Sequence, residues 1–137
     1  MSERGGHTAR ITGAFRVEEV PGRARGGRAV VRLIDPLEYR VGHPQSEERI
    51  IAPAGFETDF ASIPWGLWNL FPPLGPWARP AIVHDYLYVT GGLQGRYSRR
   101  RADEIFAEAL KVVGVPGWRR GVMHAAVRLG GGPGWQG

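Results

Sequence analysis

The sequence predicts an α+β fold, and three observations carry that prediction. Apolar residues alternate in short β-branched runs before residue 54 and recur with helical spacing after residue 80. A stretch dense in proline and aromatic residues separates the two halves. The expected architecture is a small N-terminal antiparallel sheet, a Pro/Trp-rich wrap and a C-terminal group of about three helices. At 137 residues the chain suits one domain with a modest core. Residues 1–10 are expected as a flexible N-terminus, 11–129 as a single globular domain and 130–137 as a flexible tail.

Taken in order, Ile11 to Val17 alternates loosely, and Gly22 to Gly27 reads as a Gly/Arg loop. Ala29 to Ile34 has the richest β-branched content, and Asp35-Pro36 closes it with a turn signal. Leu37 to Val41 alternates with period two, so these two strands are expected to form a hairpin. A polar loop, Gly42 to Glu48, leads to a third strand, Arg49 to Pro53. Prolines at 64, 72, 73, 76 and 80 exclude a long helix in the wrap. One short helical turn is expected near Gly66 to Leu70. Trp65, Trp68 and Trp77 read as aromatic packing rather than a sugar platform. Three helices follow: Pro80 to Tyr88 with proline in its first turn, Ser98 to Val113 with Ser98 as N-cap, and Trp118 to Leu129, whose Val122, Ala125, Ala126 and Leu129 share a face.

The formal charge is +5, and Lys111 is the only lysine among 18 basic residues. Arginine in such excess, beside abundant Gly and Ala, fits the codon bias of a GC-rich genome as well as phosphate contacts. Nucleic acid is therefore not the expected partner. The cluster Arg96 to Arg101 reads as a solvated helix start, although cations there oppose the helix dipole slightly and leave room for an anionic partner. Cysteine is absent, so any metal must be held by oxygen or imidazole. The polar N-terminus and the lack of any run near the roughly 18 apolar residues of a membrane span predict a soluble protein without a signal peptide or transmembrane segment.

The chemistry concentrates in Ala81 to Tyr88. On a helix, His84 and Tyr88 share a face and Asp85 turns about 100° toward its edge. In the next helix Asp103 lies on the apolar stripe of Phe106, Ala107 and Leu110, where a carboxylate needs a partner. His84 is the candidate, because a Gly-rich connection between two helices favours antiparallel packing. A neutral imidazole accepts a proton near pH 7, and a buried carboxylate fixes its tautomer and stabilises its cation. Plain alternatives stand beside each role. His84, Asp103 and Tyr88 also make sense as a buried polar network without turnover. Asp59 also reads as an Asx turn residue, Asp85 as an exposed helix residue, and His7, His43 and His124 as surface residues. Ser62 has no Gly-x-Ser-x-Gly elbow around it and is not expected as a nucleophile.

The motifs Gly55-Phe56-x-Thr58-Asp59-x-Ala61-Ser62-Ile63-Pro64, Pro72-Pro73-x-Gly75, His84-Asp85-x-Leu87-Tyr88 and Arg101-Ala102-Asp103 resemble a family of small bacteriophage and prophage proteins, domain of unknown function 1353, over about residues 30 to 130. That resemblance implies a phage or prophage origin and no agreed activity. His-Asp-x-x-Tyr followed by an aspartate on an antiparallel helix is also distantly similar to secreted phospholipase A₂. This second resemblance implies His84 as the base that activates water, Asp103 as its orienting carboxylate, Tyr88 as a donor to Asp103 and Asp85 as a ligand of calcium. The cysteines and the Gly-rich calcium loop of that family are missing here; Asp59 is the candidate for a substitute oxygen ligand.

Two classes of function follow. In one, a phage-encoded hydrolase uses His84 and Asp103, with a divalent metal (calcium or zinc) at Asp85, on an ester or amide of lipid or cell wall. In the other, the chain is a non-enzymatic particle or assembly component that works with other phage structural proteins, made in the host cytoplasm and incorporated in the virion. An open cleft at His84 would favour the first class; a network sealed under Trp65, Trp68 and Trp77 would favour the second.

Overall fold

A computed structural model describes residues 10–13, 15–22, 30–60, 62–63 and 77–137. The architecture is α+β, as expected: short antiparallel strands precede the helices. The strands are β1 (Ile11–Thr12), β2 (Val17–Glu19), β3 (Val31–Leu33), β4 (Leu37–Arg40), β5 (Arg49–Ala52) and β6 (Glu57–Thr58). They form two three-stranded sheets, β1-β4-β5 and β2-β3-β6, not one.

The expected hairpin between the second and third of these runs is not made. β3 pairs with β2 on one edge and with β6 on the other, so it has no edge left for β4. The turn at Asp35-Pro36 instead carries the chain from one sheet to the other, and β4 pairs with β1 and β5, with Tyr39 opposite Ile50. The loose run Ile11 to Val17 likewise divides between the sheets. Gly13 marks the break, since at φ +120° a side chain there would meet the Pro36 carbonyl oxygen at 2.4 Å. Alternation in β4 and β5 sends Leu37, Tyr39, Ile50 and Ala52 into the core.

The helices are α1 (Ala78–Val89), α2 (Gly91–Gly95), α3 (Arg99–Val112) and α4 (Gly117–Gly130). α1 is apolar nearly all round and is the buried centre, packed on β4, β5 and α3. α2 is one turn in which Gly92, Leu93 and Gln94 take left-handed angles (φ 72°, 55° and 61°). A side chain at Gly92 would lie 1.9 Å from the Tyr97 carbonyl oxygen, so glycine is required there. This reversal lets α3 run back along α1. Ser98 caps α3 as expected, its hydroxyl accepting from the Arg101 amide at 3.0 Å.

α4 packs on α3 through Met123 and Val127, which are fully buried. The face that the spacing groups together, Val122, Ala125, Ala126 and Leu129, is instead turned outward, with only Ala126 half-buried. Residues 130–137, expected as a flexible tail, lie against α1: the Gln136 amide donates to the Tyr88 carbonyl at 3.0 Å, and the Trp135 ring meets Tyr88 edge-on at 5.2 Å. Of the expected flexible N-terminus, 1–10, only Arg10 is described, and it donates to the Tyr39 hydroxyl and the Glu108 carboxylate. Residues 1–9, most of the Gly/Arg loop, the helical turn near Gly66 to Leu70, and Trp65 and Trp68 of the wrap lie outside the described residues. No described helix is long and apolar enough to cross a membrane.

Candidate functional site: a buried chain from Thr58 to Arg128

His84 and Asp85 project from the middle of α1, where the helix is covered on every side. A lone buried carboxylate or imidazole costs several kcal/mol to desolvate, so each must be met by donors and acceptors. The sequence supplies them from three directions. His84 Nε2 lies 2.7 Å from Asp103 Oδ1 on α3, the expected pair. His84 Nδ1 lies 2.9 Å from Ser62 Oγ, at the entrance to the wrap. Tyr88, one turn along α1, donates its hydroxyl to the same Asp103 oxygen at 2.6 Å. The contacts run in opposite directions along α1 and α3, as antiparallel packing requires: Phe106 packs at 4.6 Å on the His84 ring, while Arg99 meets Tyr88.

Asp103 is fully buried and takes a third donor, Arg128 Nη1 on α4, at 2.7 Å from Oδ2. Arg99, four residues earlier on α3, stands 3.8 Å from the same oxygen. It also donates to the Val127 and Arg128 carbonyls at 3.2 Å each, tying the end of α4 to the site. Burial pushes the Asp103 carboxyl up, but the hydrogen bonds from His84, Tyr88 and Arg128 outweigh it and hold the group below the usual carboxylate range. Burial pulls His84 below its ordinary value despite the Asp103 carboxylate. An ionised Asp103 beside a neutral imidazole selects one tautomer: Nε2–H donates to Asp103, and Nδ1 accepts the Ser62 hydroxyl proton.

Asp85 is also buried rather than exposed on its helix. Its Oδ2 accepts from the Thr58 hydroxyl and its Oδ1 from the Ser62 amide at 3.2 Å, while the Phe60 amide donates to Thr58 Oγ1 at 2.8 Å. Burial pushes the Asp85 carboxyl up, and the Thr58 and Ser62 donors oppose this. These partners form the shell of a buried carboxylate, not an oxygen cage for a cation. Among the described residues no three His, Asp or Glu side chains are gathered for a metal. Asp59 is half-buried in its turn. The ligand roles of Asp85 and Asp59 therefore rest on resemblance alone.

The structure thus joins His84, Asp103 and Tyr88, leaves Asp85 in a separate arm, and adds Thr58, Ser62, Arg99 and Arg128. Ser62 lacks an elbow motif, so its place beside His84 is a tertiary fact. The need for a partner at Asp103 was readable, but the pairing with Arg128 was not.

An α+β domain threaded by one buried Thr/Ser/His/Asp/Tyr/Arg chain is the class these features define. The profile of the family described as "Protein of unknown function (DUF1353)" matches residues 31–127, and the chain belongs to that family. The chain is also similar to an "Uncharacterized protein y4jT" of Sinorhizobium fredii (strain NBRC 101917 / NGR234), 32% identical over 85 residues. That match covers 61% of this chain and 24% of the relative, so the chain spans about a quarter of that longer protein. No solved structure matches the chain.

Proposed function

We propose that this chain works without turnover, as a phage- or prophage-derived particle or assembly component in which the polar chain through His84 fixes one packing of sheet against helices. Enclosure carries this reading. Ser62, His84, Asp85 and Asp103 are each at most 3% exposed, and both imidazole nitrogens and both carboxylates have partners. A general base has to meet a substrate, whereas a sealed and satisfied network specifies a core. The phage origin rests on the resemblance of the motifs. The test is a panel of esters, amides and phosphodiesters, with and without calcium or zinc, given to the wild type and to Asp103→Asn. Equal, background rates in both are expected. Turnover by the wild type that vanishes in the variant would sink the proposal.

The order of the hydrogen bonds favours a second reading. Ser62, neutral His84 and ionised Asp103 stand as nucleophile, base and orienting acid, with the two imidazole nitrogens exchanged relative to the usual serine triad. Since both nitrogens are engaged, a water on His84 would have to displace Ser62. In this reading Ser62 Oγ attacks the carbonyl carbon of an ester or amide of lipid or cell wall and passes its proton to Nδ1. The C–O or C–N bond then breaks, the leaving alcohol or amine takes that proton, and water releases the acyl group from Ser62. A fluorophosphonate probe read by intact mass decides it: one adduct on the wild type and none on Ser62→Ala would support the hydrolase, and an unmodified wild type would remove it.

A further inference from the structure

α4 carries two apolar faces, and only one has a partner. Met123 and Val127 point into the core, while Trp118, Val122 and Leu129 are 67%, 42% and 89% exposed. With Ala125, also exposed, these residues fall within about 60° of one another on the helix wheel, opposite the buried pair. Scattered apolar residues on a surface need no explanation; a continuous stripe does.

Along this part of the sequence the charged side chains are of one sign. From Ala109 to Gly137 the chain holds Lys111, Arg119, Arg120 and Arg128 and no Asp or Glu. Arg128 is balanced by Asp103, and Arg119 stacks its guanidinium 5.2 Å over the Trp118 ring. Beside the helix start, a recess of about 140 Å³ is lined by Trp77, Val115, Met123 and Arg119, an apolar floor with a cation at its wall. The stripe is one helix wide and about 16 Å long, a small part of the roughly 800 Å² per partner that a stable dimer buries. A second copy would also set this cationic region against itself.

We propose that the outer stripe of α4 docks on an anionic lipid surface, with Trp118, Val122 and Leu129 entering the headgroup boundary and Arg119, on the flank of the stripe, and Lys111, exposed at the end of α3, facing the lipid charge. A helix with a tryptophan and aliphatic face rimmed by arginine lies flat at such a boundary. This proposal is independent of any turnover at His84.

Co-sedimentation of the full chain with vesicles of phosphatidylcholine, with and without phosphatidylglycerol, tests it. Binding is expected to the anionic vesicles, weakened by salt, and reduced at least about tenfold in the double variant Val122→Asp, Leu129→Asp. Both sites are exposed, and circular dichroism checks that the variant is folded. No binding to either vesicle overturns the proposal, as does equal binding by the double variant. A concentration-dependent dimer that this variant abolishes, without vesicle binding, assigns the stripe to a second copy and also overturns it.

Discussion

Asp103→Asn keeps the volume of the side chain and breaks the site in a defined way. Asp103 accepts from His84 and Tyr88 through Oδ1 and from Arg128 through Oδ2. Asparagine has one acceptor oxygen and one donor nitrogen. If its oxygen faces His84 and Tyr88, its NH₂ group meets the Arg128 guanidinium, donor against donor. If it is flipped, the NH₂ group meets Nε2–H and the Tyr88 hydroxyl instead. Either way one charge-assisted bond is lost and Arg128 loses its counter-ion. Because Arg128 is partly exposed and water can replace some of that interaction, the loss is about 1–3 kcal/mol. Asp103→Ala leaves all three donors without their acceptor, two of them buried, and is expected to destabilise by about 3–5 kcal/mol. Urea denaturation followed by tryptophan fluorescence measures both. A loss below about 1 kcal/mol for Asp103→Ala would show that the network contributes little, and the structural proposal would fall with it.

Three further outcomes are expected. Burial lowers the folded His84 below its ordinary value of 6.5, so below that pH the unfolded chain takes up a proton that the folded protein does not. Stability should therefore fall on acidification through this window, by no more than about 1.4 kcal/mol per pH unit for one proton. Asp85 opposes this: its raised folded value gives stability that is full below the ordinary 3.8 and is lost as pH rises through the folded value. Denaturation midpoints taken at stepped pH should then be flatter below pH 6.5 for His84→Gln, and an unchanged slope there would assign the dependence elsewhere. Gly92→Ala should destabilise by about 2 kcal/mol or more, since it combines left-handed angles with a backbone clash; a thermal midpoint equal to wild type would count against the turn. Met123→Ala should destabilise by about 2–4 kcal/mol and Val122→Ala by less than about 0.5 kcal/mol. The reverse order would mean that α4 is rotated.

Strand existence was legible and strand pairing was not. Period-two alternation marks Leu37 to Arg40 and Arg49 to Ala52 because one face of each is buried. Alternation says nothing about which edge is free, and β3 could not take β4 because β2 and β6 already occupied it. Strands such as Ile11–Thr12 and Glu57–Thr58 are too short to carry a period at all, and their pairing is decided by the chain around them. Three of the four helices were legible at nearly their full lengths, since several turns of spacing, helped in α3 by the Ser98 cap, reinforce one another; the one-turn α2 was read only as part of a Gly-rich connection.

Within the site, the helical pair was legible because a four-residue spacing aligns His84 with Tyr88, and Asp103 stood out as a charge on an apolar stripe. Ser62 and Thr58 were not, because they reach α1 through a turn whose path no period describes. α4 shows the same limit from the other side. Val122, Ala125 and Leu129 form a true stripe, yet the core chose Met123 and Val127 across the helix, because Arg128 must lie on the flank that reaches Asp103. Turning the stripe inward would swing that guanidinium away from a buried carboxylate, at a loss of several kcal/mol, against about 1.5–3 kcal/mol for burying one more Leu or Val side chain. Electrostatics at Asp103 thus sets the rotation of α4 and leaves the stripe on the outside. A Leu129→Asp variant with unchanged stability would agree with this account, whereas a large loss of stability would place Leu129 in a core contact and remove the outer face on which lipid docking depends.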